Sequence, residues 1–423
     1  ESALKTDLDR LMAERKYDAV LVLGPAAHNA PMYYLAGGVA VGKDTVLIQK
    51  RGRAPVLFVN AMERDEAARS GLRVVTKFRY RQILREAGGD TAQALVRYFG
   101  QMLAEAGVGA GTVAVFGQQD AGAAYRLLDT LNRADLGVRL VGDPGLTILE
   151  RAAATKDLDE VRRIRSVGRR TLAVVADVQE FLTSHRARDG YLVGKDGARL
   201  TLGDVKRRIN LKLAEAGLVD AEGGTIFAIG RDAGVPHSRG NPRHPLALGK
   251  TIVFDIFPAE PGGGYFFDFT RTWCLGHAPD HVLEAYEAVR AAHAQALRTL
   301  KPGAPCRDYQ RATCALFEAR GHATIQTDPA TTSGYVHSLG HGLGLRIHEA
   351  PSLADTEGNT GVLEPGAVFT VEPGLYYPDH PRGGFGVRIE DTVWLDPRTL
   401  RFEVLAKYPV DLILPVKPAG RRR

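Results

Sequence analysis

Thr251-Ile252-Val253-Phe254-Asp255-Ile256-Phe257-Pro258 and, a few residues on, Tyr265-Phe266-Phe267-Asp268-Phe269-Thr270-Arg271-Thr272 carry the reading on which the fold turns. Each is an apolar, strand-forming run with one aspartate among aliphatic and aromatic neighbours. Pro261-Gly262-Gly263-Gly264 between them reads as a turn. Two strands, 250–257 and 265–275, are therefore expected to pair as a β-hairpin with a carboxylate on each arm. An apolar setting disfavours an unpaired charged carboxylate. Two together also repel, and one is driven to protonate unless a cation sits between them. A divalent metal ion resolves that conflict. Read alone, each aspartate serves equally well as a structural hydrogen-bonding cap, and the pair does not decide.

Further along, Val336-His337-Ser338-Leu339-Gly340-His341-Gly342-Leu343-Gly344-Leu345-Arg346-Ile347-His348-Glu349 gathers three of the twelve histidines. A lone histidine is more often structural. Three in a glycine-rich stretch favour function, because the glycines flanking His341 permit close backbone approach and a neutral imidazole ligates metal. In Val368-Phe369-Thr370-Val371-Glu372-Pro373-Gly374-Leu375 an apolar strand again ends in a carboxylate. In Gly386-Val387-Arg388-Ile389-Glu390-Asp391-Thr392-Val393, strand periodicity puts Arg388 and Glu390 on one face. Asp255, Asp268, His341, Glu372 and Glu390 together offer four carboxylates and one imidazole. That set suits two divalent ions such as Mn, Co or Zn, which bridging carboxylates would hold roughly 3.5 Å apart.

The surrounding chain organises as two domains, 1–150 and 151–423. Residues 1–145 alternate strand and helix patterns. A first helix spans Ala3 to Glu14, strands fall at 18–23, 45–49, 55–60, 73–76 and 112–116, and helices at 91–106 and 121–132. This alternation predicts a three-layer α/β domain. Lys156-Asp157-Leu158-Asp159-Glu160 then opens a long helix to about Thr183, with Asp157 or Asp159 as its cap. The second domain reads as α+β. Its helices lie at 156–183, 201–217, 280–300 and 306–320, its strands at 225–230, 250–257, 265–275, 366–372 and 385–395. Helices followed by strands, twice over, suggest two similar halves.

Composition bounds the function. Apolar residues at 44% and charged residues at 25% describe a folded globular chain. The net charge of +6 is spread over 423 residues, and clusters such as Arg162-Arg163-Ile164-Arg165 fall on a helix with Asp157, Asp159 and Glu160. A nucleic-acid binder concentrates charge instead, so no nucleic-acid partner is expected. Cys274, Cys306 and Cys314 form no CxxC and are odd in number, which argues against a disulfide framework and for a reducing, cytoplasmic setting. The first residues read as an amphipathic helix rather than a signal peptide. No apolar run approaches the roughly 18 residues that span a membrane.

With these motifs in view, the chain resembles the creatinase/methionine aminopeptidase superfamily of pita-bread fold, peptidase family M24. The likeness is to its Xaa-Pro branch, prolidase and aminopeptidase P. The signatures are DxTRT at 268–272, GHGLGLxxHE at 340–349, FTVEPGLY at 369–376 and GVRIEDT at 386–392. They cover about 225–395. The likeness continues more faintly through the helix near 156–183 into the N-terminal domain, where Pro31-Met32-Tyr33-Tyr34-Leu35-Ala36-Gly37 is similar to an early loop of the family. The resemblance implies an α/β N-terminal domain, an α+β pita-bread catalytic domain and a homodimer. It also implies two divalent ions, manganese first, and hydrolysis of the Xaa-Pro bond at the N-terminus of peptides with proline second. Carried over residue by residue, Asp255 chelates one ion and His341 the other. Glu372 joins the second ion and passes a proton, and Asp268 and Glu390 bridge. His348 is similar to the histidine that contacts the scissile peptide, His337 to one lining the proline pocket, His237 to the remaining active-site histidine, and Arg388 to the supporting arginine.

Two departures stand out. Asp255 and Asp268 are 13 positions apart, two more than the family's usual spacing. Ser352 also occupies the place, four residues after His348, where archaeal-type prolidases carry an arginine for the free carboxylate of a dipeptide. Arg239, Arg243 or Arg382 are the candidate substitutes. Two other readings compete: a catalytically inactive pita-bread protein acting as a binding module, and a metal-dependent peptidase or amidase of other specificity. The first loses ligands in the family, whereas all five are present here.

Overall fold

The computed structural model describes residues 7–221 and 224–418. The expected start of the first helix at 3–6 and the arginine tail 421–423 lie outside them. The chain divides into two compact units, residues 1–153 with 262–264, and residues 154–261 with 265–423.

Alternating burial builds the first unit. β1 (Ala19–Leu23) is buried at every position, yet its side chains separate by parity. Val20 and Val22 enter one core with α1 (Asp7–Glu14), α2 (Ala30–Ala36) and α7 (Ile148–Ala153). Ala19, Leu21 and Leu23 enter another with α5 (Thr91–Glu105) and α6 (Ala121–Arg133). A sheet buried on both faces requires such near-continuous apolar strands, and the result is the expected three-layer α/β arrangement. Among the described residues the sheet runs β4-β3-β2-β1-β5-β6, with β2 (Val46–Lys50), β3 (Val56–Phe58), β4 (Arg73–Val75), β5 (Gly111–Gly117) and β6 (Val138–Val141). Only β2 is antiparallel to its neighbours. The short helices α3 (Arg64–Ala68) and α4 (Tyr80–Glu86) follow β3 and β4.

The second unit opens with α8 (Leu158–Ser184), whose cap is Asp157 rather than Asp159, in a capping box with Glu160. A hairpin of β7 (Arg186–Arg188) and β8 (Tyr191–Val193) and then α9 (Leu202–Glu215) lead to β9 (Ile226–Ile229), β10 (Thr251–Ile256) and β11 (Phe269–Leu275). After α10 (Asp280–Thr299) and α11 (Cys306–Glu318) come β12 (His341–Gly342), β13 (Glu349–Ser352), β14 (Val368–Val371), β15 (Gly374–Tyr377), β16 (Phe385–Arg388), β17 (Asp391–Leu395) and β18 (Phe402–Val404).

The strand expected at 265–275 begins only at Phe269. Thr270 pairs with Asp255 and Phe269 with Ile256, and residues 257–268 form a long connection in place of a tight hairpin. The strand expected at 385–395 breaks at Ile389-Glu390, and that at 366–372 ends before Glu372. These breaks fall at carboxylates. No described helix is long and apolar enough to cross a membrane.

Candidate metal centre

Strand register brings the carboxylates together. Asp255 of β10 lies opposite Thr270 of β11, and Thr270 in turn bridges to Glu390. Residues directly opposite across a sheet share a face. Asp268, two residues before Thr270, keeps that parity although it precedes the strand. Val371 pairs with Asp391 and Gly374 with Arg388 in one continuous register. Glu372 and Glu390 therefore face each other across the break between the two ladders. His341 arrives on β12, next to Gly342, which pairs with Phe369. Its backbone N–H donates to Thr370 Oγ1 at 3.0 Å. Gly340 and Gly342 are required here, because a Cβ on either would lie 2.1 or 2.0 Å from a backbone oxygen.

Ligand atoms of Asp268, His341 and Glu390 all fall within 4.8 Å of one another. His341 Nε2 is 3.6 Å from Asp268 Oδ2 and 3.3 Å from Glu372 Oε1. Asp255 Oδ2 accepts from Arg388 Nη2. Asp255 Oδ1 and Glu390 Oε1 are buried with no hydrogen-bond partner, a rare condition for protein oxygens. Burial, followed by the charges of Asp255 and Glu372, pushes the Asp268 carboxyl far above the usual range. Burial and then Asp268 do the same to Glu390. Burial raises Glu372 to about 7, with the Asp255 charge adding to it. Burial lowers His341 and so favours its neutral, ligating form. Crowded carboxylates, orphaned oxygens and a neutral imidazole fit divalent cations.

Arg388 organises the back of the site. It is 3% exposed, and its guanidinium reaches Asp255, Thr270 Oγ1 at 3.2 Å and the Tyr376 hydroxyl at 2.7 Å. Thr270 Oγ1 donates onward to Glu390 Oε2 at 2.7 Å. Tyr376 accepts from Arg388, so its own proton points to His337 Nε2 at 2.9 Å, leaving His337 Nδ1–H to donate to the Ser338 carbonyl at 2.7 Å. That tautomer is neutral, as burial and Arg388 dictate by pushing His337 down to about 3. Tyr376 was not among the residues expected from sequence. Its only signal was its place in the 369–376 stretch.

His348 is exposed, with its ring 4.3 Å from that of His341. Its neighbour Glu349 accepts from Lys156 Nζ at 2.8 Å and from the Arg346 N–H at 2.9 Å, which fixes the loop between β12 and β13. Ser352 pairs with His341 in the β12–β13 ladder, whose register shifts between His341 and Gly342. His237 is exposed beyond the turn Asp232–Gly234. Its charge is felt at His337 and Glu372, but among the described residues no hydrogen bond joins it to the cluster.

The description "Metallopeptidase family M24" matches residues 162–397, more than half of the chain. A Xaa-Pro dipeptidase from Lactobacillus delbrueckii subsp. lactis is 36% identical over 182 residues, 43% of this chain and 44% of that protein. A probable dipeptidase PepE from Mycobacterium tuberculosis is 31% identical over 249 residues, 58% and 57% of the two chains. The chain thus spans about half the length of these curated relatives. A solved Xaa-Pro dipeptidase from Bacillus anthracis superposes with a TM-score of 0.73 at 21% identity, covering 97% of this chain and 99% of that one; this likeness establishes the pita-bread fold. The chain belongs to metallopeptidase family M24.

Proposed function

We propose that this chain hydrolyses the bond between an N-terminal residue and a following proline in di- or oligopeptides. The observation that carries the reading is the buried carboxylate–imidazole cluster with orphaned oxygens on Asp255 and Glu390. Asp255 would hold one divalent ion, His341 and Glu372 the other, and Asp268 and Glu390 both. Manganese is the first choice, with cobalt or zinc as alternatives. When bound, such ions polarise a carbonyl and make water acidic. Glu372, with Oε1 3.3 Å from His341 Nε2, would accept a proton from the attacking water and deliver it to the leaving nitrogen. His348, exposed beside His341, would donate to the developing oxyanion. Neutral His337, held by Tyr376, would line the proline pocket, and His237 would be the remaining active-site histidine. Arg388 would orient Asp255 through the hydrogen bond it donates to Oδ2. Three free, buried cysteines suit a cytoplasmic enzyme, and a homodimer accords with the family resemblance.

The test is metal content together with turnover of Gly-Pro and Arg-Pro-Pro, in the parent and in Asp268→Ala and Glu390→Ala. Each variant is expected to lose at least one ion and nearly all activity while keeping its circular dichroism. Full turnover by either overturns the two-metal site. Bound metal with no cleavage of Xaa-Pro peptides points instead to another peptidase or amidase specificity, or to a binding role.

A further inference from the structure

The N-terminal unit holds a cavity of about 990 Å³, of the size that small-molecule sites occupy. It opens at the carboxyl edge of the sheet. Leu23 ends β1, Asn60 and Thr76 follow β3 and β4, and Gln119 follows β5, and all four line it. Strands β2 to β4 lie on one side of β1, β5 and β6 on the other, so chain connections diverge between β1 and β5. Open α/β sheets take ligands in the crevice outside such a point. Gly24 and Gly117 turn the two strand ends at φ +101° and +121°, so neither contributes a side chain there.

The lining has a marked chemistry. Arg79, Arg81 and Arg85 come from α4 and its cap, and Arg126 from α6. Among the described residues none of the four pairs with a carboxylate, and Arg126 donates only to Thr91 Oγ1 at 3.0 Å. Asp44 is the one acidic residue in the lining. Phe78, Tyr80, Tyr98 and Phe99 supply aromatic surface, with the Tyr80 and Tyr98 rings 5.6 Å apart. Thr45 lines the same wall, is 1% exposed, and its hydroxyl has no partner.

We propose that this cavity binds a small phosphorylated molecule bearing a planar ring, the chemistry of a nucleoside phosphate. Guanidinium forks take phosphate in bidentate fashion. Aromatic side chains and arginine planes stack on a ring. The site is separate from the metal cluster and independent of the peptidase reading.

The experiment is calorimetric titration of the full chain with ADP, adenosine and inorganic pyrophosphate, at low and high salt. ADP is expected to bind in the micromolar range, with adenosine and pyrophosphate each about tenfold weaker or more. Arg81→Ala with Arg85→Ala, and separately Arg126→Ala, are expected to weaken ADP by about tenfold or more while melting temperature and Gly-Pro turnover stay at the parent's level. No ADP binding at about 1 mM, binding that the folded arginine variants leave unchanged, or pyrophosphate binding as tight as ADP would overturn the proposal.

Discussion

Arg388 and Tyr376 show how single side chains set the state of the centre. The guanidinium satisfies Asp255, Thr270 and Tyr376 at once, and Tyr376 passes the polarity on to His337. In Tyr376→Phe, Arg388 Nη1 and His337 Nε2 both lose their partner in a buried setting. The loss is expected to cost about 1–3 kcal/mol in urea unfolding; an unchanged midpoint would show that water replaces the hydroxyl. His348 acts differently, because it stands at the exposed rim beside His341. His348→Ala should keep its full metal content and lose on the order of 10²–10³ in kcat. Metal loss in that variant would make it a ligand.

At the scale of elements, the pairing of β12 with β13 bears on the length of peptide taken under the proposed Xaa-Pro reading. It pairs Ser352 with His341, and under that reading a neutral side chain would stand where a dipeptide's carboxylate needs a cation. Ala-Pro-Ala is therefore expected to be cleaved at least as well as Ala-Pro in the presence of manganese. Ser352→Arg should shift kcat/KM toward the dipeptide by about tenfold, or ~1.4 kcal/mol. A parent enzyme that already prefers Ala-Pro tenfold would reveal a cation supplied from elsewhere. The elements themselves were largely legible: uninterrupted apolar runs announced β1 and β10, and Asp157 with Glu160 announced α8. The breaks were not. Nothing in the local pattern of Phe266-Phe267-Asp268 or Ile389-Glu390 shows that pairing stops there, because it stops to let carboxylates converge from strands remote in sequence. The short helix α4 and its arginines also escaped a reading tuned to longer periods. Tyr376 had no signal beyond its place in the 369–376 stretch until its hydroxyl had partners.

For the whole molecule, the carboxylate cluster ties stability to pH. In the metal-free fold Glu372 titrates at about 7 against an ordinary 4.5, and Asp268 and Glu390 move in the same direction. The folded chain thus holds protons that the unfolded chain releases. Their stabilising contribution is complete below about 4.5 and is lost as pH rises through about 7. The melting temperature of chelator-treated protein should fall between about pH 5 and 8, and divalent metal should restore most at the upper end. A flat metal-free profile would mean the cluster is neutralised otherwise. The same convergence has a consequence in time. Arg388 reaches Asp255 across 133 residues of sequence, and Thr270 reaches Glu390 across 120. Contacts so distant along the chain are costly to close and form late. A nascent chain that has emerged only as far as β15 has Asp255, Asp268, His341 and Glu372 but neither Glu390 nor the arginine that steadies them. Synthesis order thereby keeps the centre incomplete until β16 and Glu390 have left the ribosome.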